Sequence, residues 1–148
     1  RPVFVRAGKE PSLSQVKLLA ADRPMPQYES RPVRTRSVQA GKIRVTMEEE
    51  GFSVRAHQYY RTAVDDLELP IRPFRYELDL HATQADASAL RDYLERNLRP
   101  GERVELWNLW VGEGPAKGVY CSGRVENLAV DTPEQLEEQE QTCMTIER

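Results

Sequence analysis

Three polar residues at alternate positions, Glu77, Asp79 and His81, are the clearest candidates for chemistry in this 148-residue chain. They interleave with Tyr76, Leu78 and Leu80, so in an extended segment the two sets point to opposite sides. A carboxylate beside an imidazole can pass a proton in either direction, the pairing that general acid and base catalysis requires. No nucleophile or phosphate-cradling loop flanks them, and a solvated strand face that meets another protein has the same pattern. The other candidates are weaker. Ser122-Gly123-Arg124 lacks the glycine-framed strand-to-helix turn of a nucleophile elbow. His57, His81, Cys121 and Cys143 are scattered, with no pair at the short spacing of a zinc site, so no metal is expected. On these grounds no catalytic residue and no cofactor is assigned.

The elements that position these residues are legible from Phe74 to Val111. Phe74, Tyr76, Leu78 and Leu80 alternate with Arg75, Glu77 and Asp79, the period-two pattern of a half-buried strand with its aromatics and leucines inward. Thr83 then stands as an N-cap with Asp86 three residues on, a capping box with aspartate in the usual glutamate position. Leu90, Tyr93, Leu94 and Leu98 form one apolar stripe of the helix that starts near Gln84. Pro100-Gly101 ends that helix, and Val104 to Val111 is apolar at nearly every position, as in a central strand. A strand, helix and strand in one sheet predict a parallel crossover.

Upstream, Ile43, Val45 and Met47 followed by Phe52, Val54 and Ala56 predict a hairpin turning at Gly51. Tyr59 to Pro73 reads as a loop and an extended connection into the next strand. Downstream, Gly112 to Gly118 is a loop of turn formers, and Val119 to Val130 reads as a long strand returning as a hairpin. Thr132-Pro133-Glu134-Gln135 predicts one or two helical turns, and Thr142 to Ile146 a last strand. The expected fold is α+β, a single mixed, largely antiparallel sheet with one main helix packed on a face, in the order β-β-β-α-β-β-(short α)-β.

Charge divides the chain. Residues 1–40 hold eight Lys and Arg against three acids, or +5, while residues 41–148 hold thirteen against twenty-one, or −8. Five of the ten prolines fall in the first forty residues, at positions 2, 11, 24, 26 and 32. Residues 1–40 therefore read as an extended basic arm and residues 41–148 as one acidic α+β domain. An arm strapped onto its own acidic body by Val3, Phe4, Val5, Leu18 and Leu19 accounts for the basic charge better than nucleic acid does, so no nucleic-acid partner is expected. No window is apolar enough to span a membrane and no signal-peptide pattern is present, which predicts a cytoplasmic protein without a membrane partner. In that compartment Cys121 and Cys143 are expected as free, buried thiols.

Asp65, Asp66 and Glu68 form an acidic cluster on the connection before Phe74, and Asp131, Glu134, Glu137, Glu138 and Glu140 form a second without any basic residue. Such surfaces receive basic proteins. Trp107 and Trp110 point to opposite faces of their strand, so one belongs to the core. The other is an exposed interface anchor unless the arm covers it. Tyr59-Tyr60 reads the same way.

The stretches YELDLHATQADASALRDYLERNL and ERVELWNLWVG resemble bacterial immunity proteins of polymorphic and contact-dependent toxin systems, over Phe74 to Gly112. The resemblance implies a non-enzymatic inhibitor that occludes a cognate toxin. The expected function is a protein-binding module whose basic partner meets Asp65, Asp66, Glu68, Glu77, Asp79, His81 and Trp107. Two alternatives stand beside it: an assembly component of a phage or secretion machine that uses its N-terminal arm, and a small hydrolase-like enzyme using Glu77, Asp79 and His81.

Overall fold

The computed structural model describes residues 14–30 and 51–148 in full, and residues 34–40 and 43–49 by their backbone. Among the described residues, nine strands form two sheets. They are β1 (Ser14–Ala21), β2 (Tyr28–Glu29), β3 (Arg34–Ala40), β4 (Ile43–Glu49), β5 (Ser53–Ala56), β6 (Phe74–Asp79), β7 (Arg103–Val111), β8 (Val119–Arg124) and β9 (Thr142–Glu147). The helices are α1 (Arg61–Asp65), α2 (Gln84–Asn97) and α3 (Asp131–Glu137), with a 3-10 turn at Val125–Asn127. Seven strands lie in the order β2-β5-β6-β1-β7-β9-β8, and β3 and β4 pair separately. All pairs are antiparallel except β8 with β9. The α+β class and the mixed, largely antiparallel sheet are as the sequence predicts.

The sequence-predicted crossover is present with a strand inserted. β6 and β7 both run antiparallel to β1, which lies between them, so they are parallel to each other and joined by α2. β1 corrects the expected boundary at residue 40. It pairs along its length with β7, from Ser14 opposite Val111 to Ala20 opposite Glu105, and Leu18, Leu19 and Ala20 are fully buried. Two covered faces demand apolar side chains on both sides of a strand, and Val16 to Ala21 supplies them with Lys17 as the one charge. Residues 1–13, with Val3, Phe4 and Val5, lie outside the described residues.

Two further pairings differ from expectation. β4 pairs with β3, Ala40 opposite Ile43, while β5 pairs with β2 and β6, so no hairpin turns at Gly51. Alternation marks a strand without choosing its neighbour. β8 ends at Arg124 and does not return onto β7, because β9 lies between them. β9 carries buried Cys143 on one face and buried Met144 and Ile146 on the other, which suits a covered position. β8 exposes Val119, Tyr120, Ser122 and Arg124, which suits an edge.

The sheet buries both faces. On one, α2 sets Leu90, Tyr93, Leu94 and Leu98 against Leu19, Val54, Leu78, Leu106 and Ile146, and α3 adds Leu136. Tyr28, Phe52 and Tyr93 meet there with ring centroids 5.8–5.9 Å apart. On the other, Val64 of α1 with Leu67 and Ile71 of the following connection cover Leu18, Trp107 and Leu109.

Local signals hold at both ends of α2. Thr83 Oγ1 accepts the Asp86 N–H at 3.1 Å as the N-cap. Past its C-terminus Gly101 adopts φ +86°, a left-handed conformation that glycine takes without strain. The Arg23 guanidinium ties this end to β1, donating to Glu102 Oε2 at 2.7 Å, Glu102 Oε1 at 2.9 Å and the Asn97 carbonyl.

Candidate functional site

β6 carries Glu77 and Asp79 on the face away from α2, as the alternation predicts, with His81 two residues beyond its last residue. Each is committed to a different neighbour. Glu77 Oε2 accepts the Gln58 N–H at 2.9 Å and so holds the segment that leaves β5. Asp79 Oδ2 accepts from Ser53 Oγ at 3.0 Å, its register partner on β5. One oxygen of Asp86 accepts the His81 backbone N–H at 2.7 Å and lies 2.8 Å from its Nδ1. The capping-box carboxylate thus reaches past the cap residue to His81, and the Thr83 N–H bonds the His81 carbonyl instead. Alternation brings the three residues to one side, but hydrogen bonding divides them among a loop, a strand pair and a helix cap. Among the described residues no group of three His, Cys, Asp or Glu side chains could hold a metal ion.

Trp107 corrects the expectation of an exposed anchor. It is fully buried, its Nε1 donates to Glu105 Oε1 at 3.0 Å, and its indole meets the Tyr120 ring edge-on at 5.9 Å. Trp110 is buried as well. Its backbone is paired by the Gln141 side chain, whose amide donates to the Trp110 carbonyl at 2.7 Å and accepts its N–H at 3.1 Å. That amide continues the ladder one step beyond Thr142, where β9 begins.

The exposed aromatics lie elsewhere. Tyr59 is 66% exposed, Tyr60 52% and Phe74 39%, and Tyr120 on β8 is 56% exposed. Phe74, placed inward by its alternation with Tyr76 and Leu78, sits at the strand's beginning, beyond the reach of α2's stripe. Tyr60 adopts φ +62° at the N-terminus of α1, a left-handed conformation that is strained for an aromatic residue. Phe74 lines a cleft of about 540 Å³ together with His57, Arg61, Asp65, Arg75 and Tyr76 among others. Burial pushes the His57 imidazole below its ordinary pKa against the opposing pull of Glu77, which favours the neutral ring.

Of the first acidic cluster, Asp65 lines this cleft. Asp65 closes α1 and pairs with Arg75 at 2.9 Å, with 69% of its side chain exposed. Asp66 follows as the exposed C-cap, and exposed Glu68 adopts φ +56°. In the second cluster Glu137 pairs with Lys17, whose Nζ also donates to the Leu80 carbonyl at 2.8 Å.

The two cysteines are free, as expected. Register places Cys121 opposite Met144 and Tyr120 opposite Cys143, so the thiols point to opposite faces of the sheet. Burial pushes the Cys143 thiol up to about 12 and raises that of Cys121.

Comparison with protein-family models, curated proteins and solved structures finds no match for this chain.

Proposed function

We propose that this chain is a non-enzymatic protein-binding module, and specifically an immunity-type inhibitor that occludes a bacterial toxin in the cytoplasm. The observation that carries the reading is a cleft lined by exposed Phe74 and Asp65, with exposed Tyr59 and Tyr60 lying in the chain between its lining residues His57 and Arg61, and exposed Asp66 and Glu68 following Asp65. Aromatic side chains ringed by charge are the composition of interface hot spots, where they supply most of the binding free energy. The acids add orientation and association rate toward a basic partner. Glu77 holds the segment leading to Tyr59 through its bond to the Gln58 N–H, whereas Asp79 and His81 are engaged elsewhere, by Ser53 and Asp86. This division of labour also counts against the hydrolase alternative, since general acid and base groups must converge on one substrate atom.

Affinity purification of the tagged chain from its native host, followed by mass spectrometry, tests the reading. A stoichiometric basic partner that is lost when Tyr59 and Phe74 are both replaced by alanine supports it. Recovery of no such partner, or unchanged recovery by the double variant, overturns it. The assembly alternative uses the N-terminal arm, residues 1–40, of which β1 belongs to the sheet. Recovery of a structural machine component that is lost when residues 1–13 are removed would favour that alternative.

A further inference from the structure

The two edges of the seven-stranded sheet are built differently. β2 is two residues long and its Glu29 pairs with Arg55 at 2.9 Å, a short charged edge of the kind that resists pairing. β8 offers six residues, Val119-Tyr120-Cys121-Ser122-Gly123-Arg124, with a single charge at its end. The Val119 N–H donates to the Gln141 carbonyl at 2.8 Å, which turns the backbone groups of Val119, Cys121 and Gly123 toward β9. Alternation then turns those of Tyr120, Ser122 and Arg124 outward. Arg124 keeps extended dihedrals, φ −122° and ψ 147°, so its N–H continues the row, while its carbonyl, as the N-cap of the 3-10 turn, is taken up by that turn.

We propose that β8 pairs antiparallel with β8 of a second copy about a two-fold axis through Ser122, placing Tyr120 of each copy opposite Arg124 of the other. Outward-facing residues exchange hydrogen bonds only with outward-facing residues, and the axis at Ser122 is the register that uses all three, for about four bonds once the two Arg124 carbonyls are left to their own turns. The side chains fit that register. Tyr120 is 56% exposed and its ring is held edge-on against Trp107, so it offers a positioned aromatic face to a cation. Arg124 is held on the same face of the sheet by Glu147 at 3.0 Å and by Glu126 at 2.8 Å. On the other face Cys121 falls opposite Gly123, where an added Cβ would meet only Ile146 Cδ1 at 3.4 Å, which leaves room for the thiol. A foreign strand would have to bring a cation opposite Tyr120 and an aromatic opposite Arg124, and this strand carries both at the required spacing. The pairing shares no residue with the surface at Tyr59, Tyr60 and Phe74, so its failure leaves the toxin-binding reading standing.

Sedimentation equilibrium of the full chain up to about 1 mM tests the proposal, with a mass rising from 17.0 kDa to twice that value expected. A single 17.0 kDa species at every concentration overturns it. Tyr120→Lys sets two cations against each other and should weaken the dimer at least about tenfold, whereas Tyr120→Glu meets Arg124 and should hold or tighten it. Equal weakening by both variants would overturn the register. In a Cys121→Ser background, Ser122→Cys should form an intermolecular disulfide on oxidation, since paired Cα atoms there lie about 5.5 Å apart. Thr145→Cys, one strand inward, should not. Cross-linking of Thr145→Cys with none at Ser122→Cys also overturns the register.

Discussion

A single oxygen of Asp86 holds His81 twice, through its backbone N–H at 2.7 Å and its ring Nδ1 at 2.8 Å. The side chain of Asp86 is 9% exposed and that of His81 52%, so the carboxylate is a structural post and the ring its outward-facing partner. The pair joins the end of β6 to the first turn of α2, where negative charge also meets the helix dipole. It explains why an Asp–His pair beside a strand does not by itself define an active site.

Asp86→Ala removes both hydrogen bonds and the charge in the first turn, so it should destabilise the fold by about 1–3 kcal/mol. His81→Ala leaves the backbone bond in place and should cost less than about 1 kcal/mol. Urea denaturation of the two variants measures the difference. Partner binding by His81→Ala should equal that of the natural sequence, and a large loss would return His81 to the candidate site.

The position of β1 makes truncation informative. Removing residues 1–40 deletes the strand between β6 and β7, so the remainder should be unfolded by circular dichroism. Removing residues 1–13 leaves β1 intact and should preserve a cooperative thermal transition. Within β1, Leu19→Ala should cost roughly 2–5 kcal/mol, as expected for a fully buried leucine in a close-packed core.

The Arg23–Glu102 clip sets an acid-sensitive contribution to stability. The Arg23 guanidinium and the Arg99 N–H hold the Glu102 carboxyl down to about 2, from an ordinary 4.5. A carboxylate depressed by folding contributes stability above its unfolded value and loses it as pH falls through its folded value. The contribution should therefore be complete above pH 4.5 and decay toward pH 2. Denaturation midpoints of Glu102→Gln and the natural sequence should differ above that window and converge below it. A constant difference across the range would contradict the assignment.

Tyr60 should separate stability from binding. Tyr60→Gly accepts φ +62° without strain and should stabilise the fold by about 1 kcal/mol while removing an exposed aromatic. Under the proposed function the same variant loses about 2 kcal/mol of partner affinity. Thermal melts and calorimetric titration measure the two effects, and parallel gains in both would argue against Tyr60 as a contact.

Patterns local to a few residues are legible in the sequence alone. The strand at Phe74, the Thr83 cap, the apolar stripe Leu90–Tyr93–Leu94–Leu98 and the break at Pro100-Gly101 all stand where the sequence puts them, because each depends on neighbours within about one turn or one pleat. Pairing across the sheet is not legible in the same way. The hydrophobic run of β1 looks alike in a strap or a central strand, and only its burial between β6 and β7 decides the matter. β8 and β9 exchange their expected places for a related reason, since a strand's rank in a sheet depends on what covers both its faces. The candidate site divides along the same line. Alternation places Glu77 and Asp79 on one face, but only the tertiary structure turns their acceptors, with that of Asp86 at His81, toward Gln58, Ser53 and the cap, buries Trp107, and leaves Tyr59, Tyr60 and Phe74 exposed. Side-chain type and spacing are properties of the chain, whereas exposure depends on which distant segment arrives to cover a surface.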